Sequence, residues 1–225
     1  MPENDSPGEF LFLAGEVYRY TYDRTLLTQL WPRLEAAADY LESLRQSERV
    51  HASANGAPNP YFGMLPASIS HEGYSAKPVH SYWDDLWALK GYDSIVALAD
   101  ALGRTDDERR FAAARDEFRA DLNASLRATA ELHRIDYLPG SVELGDFDPT
   151  SSTIAFAPGP GARELPQKLV APTFERYWKE FVARRDGRMF RRRGNPARRC
   201  CGLHRLRRSP NCRCYPSSIR GSRPR

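Results

Sequence analysis

The sequence predicts an all-α domain of stacked helical hairpins, on three observations. Apolar residues recur at helical spacing along most of residues 7–183, and no run shows the sustained alternation of a half-buried strand. The helical segments come in pairs, one apolar on most faces and one amphipathic, separated by a long loop. That pairing occurs about three times, which is the pattern of hairpins with apolar inner and amphipathic outer members.

The first helix is expected from Pro7, with Ser6 as its cap, proline at the first helical position and Glu9 placed to reach back. Its segment Phe10 to Tyr20 is apolar on most sides, which predicts a buried helix. Asp23 caps a second helix to about Glu48, whose stripe is Leu27, Leu30, Trp31, Leu34, Ala38, Leu41 and Leu44. Pro32 predicts a kink or a short first turn there. A third helix, Ser81 to Leu102, is apolar on nearly every face and is predicted to be central, with Gly103 ending it. Thr105-Asp106-Asp107-Glu108 reads as the capping box of a fourth, with Phe111, Phe118, Leu122 and Leu126 on one face. Asp148-Pro149 reads as the cap and first position of a short helix, and a last helical stretch runs from about Glu164 to Ala183 with a break expected at Pro172. Leu34 and Phe118 are the positions on which each outer stripe is expected to depend, a buried Leu or Phe contributing about 1.5–3 kcal/mol.

Charge divides the chain in two. Of the 33 Lys and Arg residues, 13 lie in residues 188–225, all arginine, with none of the 29 Asp and Glu residues. Residues 1–187 therefore carry 20 basic against 29 acidic groups, a net charge of −9. All four cysteines, Cys200, Cys201, Cys212 and Cys214, fall in the basic tail, so the body needs no disulfide and shows no metal-ligand spacing. Neither a metal nor a cofactor is expected. No segment approaches the roughly 20 apolar residues of a membrane helix, and Met1 to Gly8 lacks the regions of a signal peptide, so no membrane partner is expected and the compartment is left open.

The tail supports three readings: binding of nucleic acid or an anionic surface through its charge, a poorly spaced zinc site at Cys200, Cys201, His204, Cys212 and Cys214, or out-of-frame translation of a GC-rich gene. The abrupt change of composition inside a helical stretch favours the last, and disorder is expected.

Three segments resemble the six-hairpin glycosidase superfamily: FLFLAGEVYRYTYDRTLLTQLWPRLEAAADYLESLR from Phe10, GMLPASISHEGYSAKPVHSYWDDLWALKGYDSIVALADALG from Gly63, and ELGDFDPTSSTIAFAPG from Glu143. The second is the most specific and is similar to the acid-bearing loop and inner helix of bacterial relatives of trehalases, processing α-glucosidases and glycogen-debranching enzymes. The resemblance implies a partial (α/α)6 toroid of about three hairpins over residues 1–187, truncated relative to the family. It also implies a carbohydrate partner bound where residues 50–77 and 135–148 line the mouth of the barrel. A fragment of this kind is expected to show little or no activity alone.

Glycoside cleavage takes two carboxyl groups, one protonating the leaving oxygen and one activating water or attacking the sugar carbon. By the resemblance, Asp85 or Asp84 stands where the general acid is expected, with Glu72 as a third candidate. Tyr61, Tyr74, Trp83, His80 and Asp146 are candidates for binding sugar, aromatic faces by stacking and polar groups by hydrogen bonds. Each has a plainer reading. Asp84 lies three residues after Ser81 and can serve the helix start, Glu72 can be a solvated loop residue, and Trp83 and Trp87, one turn apart, can be core. Two other functions compete with the enzyme: a helical binding scaffold without catalysis, and nucleic-acid binding confined to the tail.

Overall fold

In the computed structural model, residues 3–49, 59–69, 77–159 and 161–185 are described. Glu72, Tyr74 and the tail from Arg188 lie outside them. The described residues are all-helical: α1 (Ser6–Thr21), α2 (Arg24–Glu48), α3 (Tyr82–Leu102), α4 (Thr105–His133), α5 (Pro149–Ile154) and α6 (Gln167–Arg185), with a 3-10 turn at Ala162–Glu164. Among them are no strands, only isolated bridges at Ser68–Val79 and Ser81–Ser141.

The caps explain most of the boundaries. Asp23 accepts the Leu26 N–H at 2.9 Å to start α2, Ser81 accepts the Trp83 N–H at 3.3 Å to start α3, and Asp148 accepts the Thr150 N–H at 2.9 Å to start α5. Gly103 ends α3 with φ +72°, a backbone that glycine adopts without strain. Four expectations need correction. Helix α1 begins at Ser6, one residue early, and its N-cap Asp5 makes no side-chain cap bond. The Asp5 carboxylate accepts the Trp83 indole N–H at 2.9 Å instead. Helix α4 starts at Thr105 without a side-chain cap, and its first turn is tied by Arg104 Nε to Asp107 at 2.6 Å. Pro172 does not break α6, which runs continuously through it, and Pro32 does not leave a separate short first turn, since α2 runs from Arg24 to Glu48. Packing overrides the lost N–H: buried Trp31 and Leu34 flank Pro32, and buried Leu169 and Thr173 flank Pro172.

Helix α3 is the hub. It packs on α1, α2, α4 and α5. Helices α1 and α3 run parallel, since Asp5 meets Trp83, Gly8 meets Trp87 and Gly15 meets Ser94. Their axes come close because glycines face each other: a Cβ on Gly91 would lie 2.9 Å from the Gly8 Cα, and one on Gly8 would penetrate the Trp87 carbonyl. The outer pair α2 and α4 is also parallel. Trp31 meets Phe111, Arg110 pairs with Glu35 and Asp39, and Arg45 pairs with Glu117 at 2.8 Å and Asp121 at 3.1 Å. Arg45 is fully buried, also reaches Glu42 at 3.2 Å, and lies over the Phe118 ring, so its charge is matched on every side. Leu34 and Phe118 are both fully buried, as the stripes require.

Helix α1 is not buried all round. Gly8, Leu11, Ala14 and Gly15 face α3, while Leu13 is 60% and Tyr20 86% exposed. The third helical pair is short and unequal, α5 having six residues. Helix α6 attaches through its first half: Thr173 Oγ1 accepts the Leu138 N–H at 2.8 Å, and Phe174 packs on Phe156 with ring centroids 4.5 Å apart.

If the Gly8–Gly91 approach sets the α1–α3 packing, Gly8→Ala will destabilise the protein by about 1–3 kcal/mol through overpacking. Gly15→Ala, whose Cβ would sit 3.2 Å from the Ser94 Cβ, will be much milder. Urea unfolding followed by circular dichroism compares the two.

Candidate active site

The candidate residues gather at the N-terminal end of α3, where two loop segments are pinned across one another. Residues 59–69 come back from α2 and are held from below by α3. Asp85 Oδ1 accepts the Leu65 N–H at 2.9 Å, Ser68 Oγ donates to Asp84 Oδ2, and Ser68 exchanges backbone bonds with Val79 at 3.0 and 3.1 Å. Residues 135–148 approach from the other side. The Val142 N–H donates to the His80 carbonyl and the Tyr82 N–H to the Gly140 carbonyl, both at 3.0 Å. The buried Tyr82 hydroxyl, 2.8 Å from both Ser125 and Thr129, fixes the start of α3 against α4.

Sequence proximity places Asp84 and Asp85 here, but both are buried, at 1% and 0% exposure. Each therefore has a structural duty, holding residues 65–68. Asp85 keeps one further group: its Oδ2 has no hydrogen-bond partner among the described residues. Burial drives its pKa up to about 7, against the opposing pull of the Leu65 N–H and the charges of His80 and Arg45. A carboxyl in that state holds its proton to near neutrality.

Beside it lies an imidazole–carboxylate pair. Glu143 accepts the His80 backbone N–H at 2.9 Å through one oxygen and sits 2.6 Å from Nδ1 through the other. Burial disfavours the charged imidazole, but Glu143, with help from Asp85 and Glu48, outweighs it and raises the His80 pKa. The same contact outweighs burial for Glu143 and lowers its pKa. The far nitrogen, Nε2, is 4.0 Å from Glu48 Oε2, beyond hydrogen-bond reach. Tyr61 stands edge-on to the His80 ring with centroids 4.8 Å apart. Asp146 accepts from Ser141 Oγ at 2.9 Å and shapes the second loop. Trp83 is half-buried, donates to Asp5 and packs against Trp87 at 6.0 Å, which ties α3 to α1.

The structure thus brings together Asp84, Asp85, His80 and Tyr61, with Asp146 supporting the neighbouring loop. It pairs Glu143 with His80, and it brings Glu48, which the sequence reading passed over, towards the same ring. One signal could have found Glu48: a carboxylate in the last turn of a helix opposes the helix dipole and wants a cation nearby. No cluster among the described residues could hold a metal ion. A groove of about 390 Å³ between α2 and α4 is lined by none of the candidate residues. No described helix is long and apolar enough to cross a membrane. No protein family, no curated protein and no solved structure matches the chain.

The buried carboxyl has a thermodynamic signature. Its folded pKa of about 7 lies above the ordinary 3.8, so the folded state holds the proton longer than the unfolded one and stability falls as pH rises between those values. Asp85→Asn keeps an oxygen for the Leu65 N–H and removes the titration. Relative to wild type, the variant will gain about 3–5 kcal/mol between pH 3.5 and pH 8. Urea unfolding of both proteins at the two pH values checks this.

Proposed function

We propose that the chain is part of a glycoside hydrolase-like catalytic domain of the six-hairpin type, cleaving O-glycosidic bonds of oligosaccharides by carboxylate acid/base chemistry. The observation that carries the reading is Asp85, a carboxyl that stays protonated to about pH 7, set at the start of the central helix among His80, Glu143 and Tyr61. A general acid works best with a pKa near the operating pH, and burial is the usual means of raising a carboxyl that far. In the proposed reaction the Asp85 proton passes to the glycosidic oxygen as the bond to the sugar carbon breaks. The sequence resemblance of Gly63 to Gly103 to bacterial toroid glycosidases supports the same role. Glu143 and Asp146 are engaged with His80 and Ser141, so neither is assigned as the second carboxylate. Asp85 is closed off from solvent, so the Leu65 segment that covers it must move for substrate to reach its proton.

That closure favours a second reading, a helical scaffold in which Asp84 and Asp85 serve only to anchor residues 65–68. The two separate on leaving-group dependence. The enzyme reading predicts slow turnover of aryl glycosides that declines above about pH 7. Asp85→Asn will lower it about 100-fold or more for poor phenol leaving groups and far less for activated ones, which need no proton. Assays of wild type and Asp85→Asn across a phenol series, with circular dichroism to confirm folding, decide it. A rate loss independent of the leaving group favours the scaffold.

A further inference from the structure

Two helix faces, on the first and last helices of the described residues, are apolar and exposed. On α6, Phe174, Tyr177, Trp178 and Phe181 are 50, 42, 60 and 49% exposed and fall at i, i+3, i+4 and i+7, with Trp178 stacked on Phe181. On α1, Leu13, Val17 and Tyr20 are 60, 36 and 86% exposed at i, i+4 and i+7. Contiguous apolar faces of this kind mark interaction surfaces.

Charge says what covers them. The N-terminal end of α1 gathers Glu3, Asp5 and Glu9, and the mutual repulsion of these acids, after burial, raises the Glu9 pKa. The C-terminal end of α6 carries Arg184 and Arg185 in its last turn. Laid antiparallel, the two faces match residue by residue. Glu9, Leu13, Val17 and Tyr20 on one meet Arg185, Phe181, Trp178 and Phe174 on the other, over the same length and with helix dipoles opposed. Pairing of α6 with another α6 fails the same test. Antiparallel about the aromatic stripe, Arg185 would face Val170, so no carboxylate meets the arginine, while Arg176 points away from the stripe over the Tyr137 and Phe147 rings.

We infer that the chain self-associates head to tail, the aromatic face of α6 in one copy seating on the exposed face of α1 in a second. The contact is heterologous, so it yields a closed dimer if both edges engage at once and a growing assembly if they do not. It is independent of the carbohydrate reading, since it uses none of the residues near Asp85. The surface is small, which sets the dissociation constant on the order of 10–100 μM.

Sedimentation velocity of the full chain from about 5 to 200 μM tests it. Wild type will gain mass with concentration, and added salt will weaken the association. Leu13→Glu and Trp178→Glu, both at exposed positions, will each be monomeric alone. Mixed in equal amounts they will form a heterodimer and nothing larger, because one supplies an intact α6 face and the other an intact α1 face. A wild type that stays monomeric throughout overturns the inference. So does association of Leu13→Glu alone, which would point to α6 pairing with α6, or a mixture that remains monomeric.

Discussion

The close parallel contact of α1 with α3 is the constraint from which the rest of the arrangement follows. Gly8 and Gly91 bring two backbones together where any side chain would hold them apart. With that contact made, Leu11 and Ala14 seal the interior against α3, and Asp5 reaches the Trp83 indole. The start of α3 is then fixed from one side by α1 and from the other by the Tyr82 hydroxyl on α4. Everything proposed about chemistry depends on that fixed helix end, because it decides how deeply Asp84 and Asp85 are buried.

Burying carboxylates is costly, and the site meets the cost differently at half-buried Glu143 and at fully buried Asp85. Both oxygens of Glu143 are occupied by His80, and this contact stabilises the fold most between about pH 4.5 and pH 6.5. It weakens below that range as Glu143 gains its proton, and above it as His80 loses its own. Asp85 receives one N–H from Leu65 and little else, so it meets the cost by keeping its proton. Natural proteins seldom leave a buried polar atom unserved without a reason in function or in local strain. The Asp85 oxygen without a partner among the described residues is such an atom, and the proposed acid role would give it a reason in function.

Much of the fold was legible in the residues. Asp23, Ser81, Gly103 and Asp148 mark helix ends through local chemistry, and local chemistry is what a sequence displays. The errors lie where a distant partner decides. Asp5 forgoes capping because Trp83, 78 residues away, takes its carboxylate. Pro172 sits in an unbroken helix because buried neighbours hold it, and α1 leaves one face bare because α3 and α2 cover only the rest. The site was legible in the same measure. Asp84 and Asp85 follow from the helix start at Ser81. Their burial, the bond from Leu65 twenty residues back and the Glu143–His80 pair across 63 residues follow from tertiary packing alone.

The account rests on a single protonation state. A titration of the Asp85 carboxyl by ¹³C NMR, assigned by loss of its signal in Asp85→Asn, reads it directly. The structure predicts a midpoint near 7. A midpoint at or below the ordinary 3.8 would mean that Asp85 is ionised in its buried setting, and it would remove the proton on which the proposed chemistry depends.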